Sequence, residues 1–295
     1  MKEYTYSFII PHHNCPDLLN RLIGTIPMRD DIEIIVVDDK SDENKKPRIT
    51  ARPDVKILYI SKEDSKGAGK ARNVGMAEAT GKWLMFADAD DFYKEGFIDI
   101  LDEYKDKDID VLYYGFDYLY SDTLEPVEGG FDIQDIILEY DGSKYMEEEV
   151  RYKNNVPWSK MVNRLFAVSN KIYFEEVING NDLFFSLFVG NRSNKIAVDK
   201  RSIYVYIQNR GSLTNKIPSV NALMCRLEHR IKHNEFNTYI GHKEWNSPIF
   251  FNIIRVVKFR SVVLIFRYYI EIMKKMNTLY KTRLEFIEII CNQIQ

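Results

Sequence analysis

Apolar residues fall along the chain in two alternating rhythms. Short runs rich in β-branched side chains, at residues 7–11, 33–37, 56–60 and 83–87, have the length and composition of buried strands, and a fifth follows at 110–116. Between the first two, residues 16–26 set Leu18, Leu19, Leu22, Ile23 and Ile26 at helical spacing behind Pro16, which a helix accepts in its first turn. Residues 67–79 read as a second helix, opened by glycines. Strands alternating with helices predict an α/β domain on a mostly parallel sheet covered on both sides. After about residue 118 the rhythm loosens. Residues 118–130 read as an irregular excursion with Pro126 and paired glycines, short helices and loops continue to Gly190, and residues 196–207 alternate as a strand does. Beyond Pro218 the chain turns helical, with Leu223, Leu227 and Ile231 in one stretch and a dense apolar field over 249–290. The expected organisation is a domain at 1–215 and a helical C-terminal region at 216–295.

Composition narrows this picture. With 295 residues, 45% hydrophobic and 13% aromatic, the chain can bury a substantial core and has the composition of a folded protein. Cys15, Cys225 and Cys291 lie far apart, without metal spacing or an even count, so a reducing compartment is expected and a zinc site is not. The N-terminal residues lack a secretory apolar core, and Arg255, Lys258, Arg260 and Arg267 interrupt the most apolar region, so neither export nor a membrane span is expected. The net charge of −3 argues against general nucleic-acid binding, but it is unevenly spread. Over 248–283 eight Lys and Arg oppose only Glu271, so that stretch carries +7 and the remainder −10. As a continuous helix, 249–276 would set Arg260, Arg267, Glu271 and Lys274 on one narrow face. Such a helix suits either peripheral membrane contact with anionic headgroups or a subdomain packed on the sheet or on another subunit.

Candidate chemistry gathers where apolar runs break into carboxylates. The run WLMFADADD at 83–91 ends in Asp88, Asp90 and Asp91, at the sheet edge where open α/β folds bind ligands. Clustered acids repel one another unless they share a cation, so a divalent metal is one reading and a solvated acidic turn the other. The second strand ends in VVDDKSDE, bringing Asp38 and Asp39 to the same edge, as ligand contacts or as caps of a turn with Ser41 or Asp42. The first ends in PHHN, where Pro11 redirects the backbone and His13 or Asn14 could present a ring or edge to a base; as metal ligands the histidines lack a third partner nearby. KGAGKARN at 66–73 sets Lys70 and Arg72 at a glycine-opened helix start, a setting that attracts phosphate. It fits neither a Walker loop nor a Rossmann fingerprint, since no Ser or Thr follows Lys70 and the glycines follow the third strand. It is a phosphate- or nucleotide-facing turn of another design, or a plain helix start.

Taken in order, SFIIPHHN, EIIVVDDKSDE and GAGKARNVGMAEATGKWLMFADADDFY resemble the inverting family 2 glycosyltransferases with a GT-A fold, over most of residues 5–215. VPWSKMVNRLF at 156–166 is similar to the family's W-x-K segment, and YVYIQNRGSLTN at 204–215 to its Y-x-Y-x-x-R-x-x-S segment. The resemblance implies an α/β, Rossmann-like GT-A sheet with a helical C-terminal extension. It implies transfer from a nucleotide-sugar donor, UDP-linked above all, to a hydroxyl of a glycan or lipid-linked sugar acceptor in surface polysaccharide synthesis.

The resemblance also implies residue roles. Pro11 and Asp39 would contact the nucleotide base, with His13 and Asn14 beside it and Arg72 near it. Asp88 would sit by the ribose or donor sugar, and Asp91 would only support the turn. Asp90 would hold Mg2+ or Mn2+, which stabilises the departing diphosphate. Arg210 and Ser212 would close over the diphosphate. GNDLFF at 180–185 is similar to the family's G-E-D-x-x-F segment and puts Asp182 on the base that takes the acceptor proton, with Asn181 replacing the usual Glu. Without that context Asp182 is a helix N-terminal acid favoured by the dipole. His13 stands where relatives commonly carry Tyr, and offers less stacking area. Two other readings stay open: a non-catalytic nucleotide-sugar-binding protein, because of Asn181, and a sugar-phosphate nucleotidyltransferase, although PHHNCPD lacks the glycine-rich loop expected after the first strand. The expected location is the cytoplasm, or the inner face of the cell membrane if 248–283 meets lipid; a homo-oligomer is left open and no nucleic acid is expected.

Overall fold

Successive residues of the first strand, β1 (Tyr6–His12), are buried on opposite sides: Tyr6, Phe8 and Ile10 in one core, Ile9 in another. A strand with apolar residues on both faces belongs in the middle of a covered sheet. β1 pairs in parallel with β2 (Ile32–Asp39) on one side and β4 (Trp83–Phe86) on the other, and β3 (Val55–Ile60) lies parallel outside β2. β5 (Phe92–Tyr93), β6 (Val111–Tyr120), β7 (Lys160–Asn163) and β8 (Ile196–Gln208) complete a sheet of order β3-β2-β1-β4-β7-β6-β8-β5. β7 runs antiparallel between β4 and β6, and β5 antiparallel along β8; the other strands share one direction. The computed structural model describes residues 3–49, 52–177, 180–209 and 220–247.

The expected amphipathic helix is α1 (Pro16–Thr25), which buries Leu19, Leu22 and Ile23 in the first core with α3 (Phe97–Asp102). α2 (Ala68–Glu78) covers the opposite face through Ala71 and Met76. α4 (Asp132–Glu139) gives Ile133 to one core and Ile137 to the other. α5 (Lys144–Lys153), α6 (Arg164–Ser169) and α7 (Leu183–Arg192) add Val150, Ala167, Phe185 and Val189 to the second core.

Two expectations need correction. Pro11 does not redirect the backbone, because β1 continues through it to His12. The Ile9 carbonyl accepts from Ala87 N–H at 3.3 Å on the β4 side, and Pro11, two residues on, points the same way. β4 has ended at Phe86, so the N–H that Pro11 lacks has no ladder partner to lose. Residues 118–130 are not wholly irregular: β6 runs on to Tyr120, and Leu119 bridges Pro126. The register of β6 against β8 shifts at Gly115, where the strands approach so closely that a Cβ would lie 2.7 Å from the Lys200 carbonyl oxygen.

The chain divides into two compact units, Met1–Lys216 and Ile217–Gln295. In the second, α8 (Val220–Tyr239) is followed by a single 3-10 turn, Lys243–Trp245, in which the His242 and Trp245 rings stack at 3.7 Å. No described helix is long and apolar enough to cross a membrane. Arg210, Ser212 and the basic stretch 248–283 lie outside the described residues.

Candidate active site

β4 delivers the acidic run to the C-terminal edge of the sheet, where a turn closed by Asp91 N–H on the Asp88 carbonyl splits its three acids. Asp91 is fully buried and accepts from the Tyr204 hydroxyl at 2.7 Å and Ile207 N–H at 2.8 Å. Asp88 and Asp90 stay partly exposed. Burial and the neighbouring Asp88 charge push the Asp90 carboxyl up to about 6, while Arg21, which donates to the Asp90 carbonyl, pulls the other way.

Asp88 is held by Arg72, a buried guanidinium on α2. Its Nη2 donates to Asp88 Oδ1 at 2.5 Å and its Nη1 to Asn181 Oδ1 at 2.7 Å. The A-R-N-x-G segment explains how this arginine is fixed. Asn73 makes a reciprocal pair with the Phe174 backbone, both bonds 2.9 Å, and so sets the Phe174 ring 5.2 Å from the guanidinium. Phe174 in turn stacks on Phe185 of α7 at 4.0 Å. Gly75 packs directly on Ile9, and Gly69 against Glu175 and Asn181, where a Cβ would meet the Glu175 carbonyl oxygen at 2.1 Å and the Asn181 Cβ at 2.7 Å. The glycines therefore serve close packing of α2, and Lys66 and Lys70 both pair with Glu176 at 2.9 and 3.1 Å.

At the end of β2 the two acids separate in role. Asp38 is the turn cap: it accepts from Ser41 N–H and Oγ and from His12 Nδ1, the last at 2.7 Å. Cys15 N–H donates to His12 Nε2, so the His12 proton sits on Nδ1. Asp39 accepts from Gly67 N–H at 3.1 Å through Oδ2, while its buried Oδ1 has no hydrogen-bond partner among the described residues. His13 Nδ1–H donates to the Asp39 carbonyl at 2.8 Å. Asn14, at φ +58°, accepts from Asp42 N–H through its side chain. Pro11, His13, Asn14 and Asp39 thus sit together at the ends of β1 and β2.

Asp182 occupies the N-cap of α7 but makes no side-chain cap hydrogen bond, so its carboxylate is not spent on the helix. Burial pushes it up, Arg72 pulls it down, Asp88 pushes it up and Lys160 pulls it down. Lys160, in the W-x-K segment, is fully buried and donates to the Asn154 carbonyl and Oδ1 at 2.8 Å each and to the Val156 carbonyl at 2.5 Å. Burial pulls its pKa well down. Three oxygen acceptors nevertheless require three N–H donors, which only the ammonium supplies.

Residues 7–164, more than half of the chain, match the glycosyl transferase family 2 model. The chain belongs to glycosyl transferase family 2. It is 24% identical to the uncharacterized glycosyltransferase EpsJ of Bacillus subtilis over 70% of this chain and 62% of EpsJ, so it spans about three fifths of that relative. It is 24% identical to the Campylobacter jejuni GalNAc(5)-diNAcBac-PP-undecaprenol beta-1,3-glucosyltransferase over 97% of this chain and 89% of that protein. Residues 1–349 of S. aureus TarS, solved in complex with UDP-GlcNAc, superpose with a TM-score of 0.60 at 18% identity, covering 77% of this chain and 66% of that one. The fold is GT-A, as the resemblance implies.

In this family 2 chain, the fold brings Asp88, Arg72 and Asp182 to one place, and Asn181 joins them as the second support of Arg72. Asp88 and Asp90 are hard oxygen donors that suit a divalent cation, and burial, with the neighbouring Asp88 charge second, raises the Asp90 carboxyl to about 6 in the absence of one. Among the described residues no cluster of three potential ligands forms. A small cation such as Mg2+ fits that set because it takes few carboxylates and fills its shell with phosphate oxygens and water. Tyr204 and Lys160 had no assigned role in the sequence, although each stands in a segment with family resemblance.

Proposed function

We propose that this chain transfers a sugar from a UDP-sugar, with inversion and with a divalent cation, to a hydroxyl of a lipid-linked or polysaccharide acceptor in surface glycan synthesis, on the cytoplasmic side of the membrane. The observation that carries the reading is the Arg72 bridge, which ties Asp88 at the acidic edge to Asn181, the residue before Asp182. Family membership supports glycosyl transfer. The names of the relatives support an undecaprenol-linked or polymeric acceptor, and the TarS complex supports a UDP-sugar donor.

The buried Asp39 Oδ1 would accept the imide N–H of uracil, with Oδ2 held by Gly67. Pro11 and His13 would flank the base. Asp90 with Asp88 would hold Mg2+ or Mn2+, whose charge offsets that of the departing diphosphate. Arg72 fixes Asp88 and lends positive potential to the site. Asp182 takes the proton from the acceptor hydroxyl as its oxygen bonds the anomeric carbon and the bond to the diphosphate breaks on the opposite face. Burial raises the basicity of that carboxylate, and the Arg72 and Lys160 charges offset part of the rise. Arg210 and Ser212 complete the proposal as closing residues over the diphosphate.

The test is UDP release from a panel of UDP-sugars with Mg2+ or Mn2+ and crude lipid-linked acceptor. Release by the wild type and none by Asp182→Asn is expected; UDP binding without release under any acceptor would favour a non-catalytic binding protein.

A further inference from the structure

We propose that Tyr206, Tyr118 and Phe131 form the subsite that receives a pyranose ring of the glycan acceptor. The inference rests on the transferase reading above and adds to it where the acceptor sits and what recognises it.

β6 and β8 pair with Phe116 opposite Tyr204 and Tyr118 opposite Tyr206, which sets four aromatic side chains on one face of neighbouring strands. Tyr118 and Tyr206 stack at 5.1 Å with their planes 16° apart. Trp158 stacks on both Tyr204 and Tyr206, at 5.1 and 5.0 Å, and Phe131 leans on Tyr118 and Tyr206 at 5.3 and 5.8 Å. The inner rings, Tyr204 and Trp158, are buried, whereas Tyr118, Tyr206 and Phe131 keep part of their surface exposed. Rings at the rim of a packed cluster ordinarily keep some exposure, so it is their place beside the acids that distinguishes these three.

Position gives the exposed rings their meaning. Tyr206 lies two residues after Tyr204 and directly before Ile207, and both of these are fastened to Asp91. Its phenol feels the charges of Asp91, Asp88 and Asp90, which places it beside the acidic turn, and its O–H can donate a hydrogen bond. β6 and β8 run parallel to β4, so Tyr118, Tyr206 and the acids share one edge of the sheet. The order of strands puts β2 with Asp39 on one side of β4, and β6 and β8 on the other. A nucleotide held at Asp39 leaves the aromatic side of the acids for the second substrate. The ring chemistry selects a sugar: the axial C–H face of a pyranose packs on an aromatic ring while its equatorial hydroxyls reach polar partners such as the Tyr206 hydroxyl.

The test uses the full chain with saturating UDP and Mg2+, and methyl β-D-glucopyranoside and methyl N-acetyl-β-D-glucosaminide as probes in saturation-transfer NMR, with UDP affinity measured separately by calorimetry. Ring protons of at least one probe should be saturated by the wild type. Tyr118→Leu, which removes a stacking ring, and Tyr206→Leu, which removes the hydroxyl donor and the ring on which Tyr118 rests, should each weaken that probe roughly fivefold to tenfold, with UDP affinity unchanged. On the wild type alone, irradiating the aromatic envelope should saturate the probe more than irradiating the methyl envelope, a comparison that survives even if a Leu variant fails to fold. Binding of neither pyranose, stronger transfer from methyls, undiminished binding in folded Leu variants, or a parallel fall in UDP affinity would each overturn the assignment. Failure of the wild type to bind UDP would instead strike the transferase reading, and is read out independently.

Discussion

The Tyr204 hydroxyl donates to Asp91 at 2.7 Å and accepts from the backbone N–H of Asp88 at 3.0 Å. One phenol on β8 therefore locks both ends of the acidic turn after β4, so Asp91 acts inward as an anchor while Asp88 and Asp90 face the site. Tyr204→Phe strips a partner from each end, and unfolding free energy should fall by about 2 kcal/mol. Asp91→Asn should also cost stability, because the amide keeps one accepting oxygen for the two donors, Ile207 N–H and the Tyr204 hydroxyl. Urea denaturation followed by fluorescence measures both.

Gly69 carries a different constraint. An added Cβ would lie 2.1 Å from the Glu175 carbonyl oxygen and 2.7 Å from Asn181 Cβ, so Gly69→Ala must push α2 away from the segment that leads to Asp182. Transfer should fall at least tenfold through displacement of Arg72 from Asn181, since small misplacements in an active site are expensive. Gly24→Ala, where a Cβ meets nothing within 4 Å, is the control and should leave UDP release unchanged.

Asp182 gives the pH dependence of turnover. Burial raises its pKa above the ordinary aspartate value of 3.8, and the base must be ionised to accept a proton. Turnover should therefore be present at high pH and lost as pH falls through that raised value. An initial-rate profile at saturating substrates should show this acidic limb, and Asp182→Asn should abolish turnover at every pH while leaving UDP affinity within about twofold.

These roles were unevenly legible in the sequence. Strands β1 to β4 and helix α1 could be read because each is a local run bounded by turn residues, and the clustering of Asp88 with Asp39 at one edge followed from parallel strand direction. β7 could not: its four residues are too short for a period, and they enter the sheet between β4 and β6 only through long-range pairing. Asn181 read as a departure from a family pattern, yet it donates no charge and simply accepts from Arg72, a contact spanning 109 positions. Asp38 and Asp39 are neighbours in the chain with opposite fates, one capping Ser41 and the other left with a buried unpaired oxygen; strand alternation separates them, but composition does not.

Asp90 links the acidic edge to stability. Its folded pKa of about 6 lies above the ordinary 3.8, so the folded protein holds this proton more tightly than the unfolded chain does. Stability should therefore be greatest below about pH 4 with respect to this group and decline as pH rises to about 6, by up to about 3 kcal/mol. Asp90→Asn removes the dependence, so without divalent cation the variant should melt above the wild type at pH 8 and converge with it at pH 4. Added Mg2+ or Mn2+ should raise the wild-type melting temperature at pH 8 and leave the variant unmoved.

The central claim, that the edge built by Asp39, Asp88 and Asp90 is a cation-assisted UDP-sugar site, is tested most directly by calorimetry of UDP binding with and without Mn2+. The account predicts cation-dependent binding to the wild type and to Asp182→Asn, weakened at least tenfold by Asp39→Ala and made indifferent to Mn2+ by Asp90→Asn. Absence of UDP binding to the wild type, or binding equally tight in EDTA and unaffected by Asp90→Asn, would contradict it.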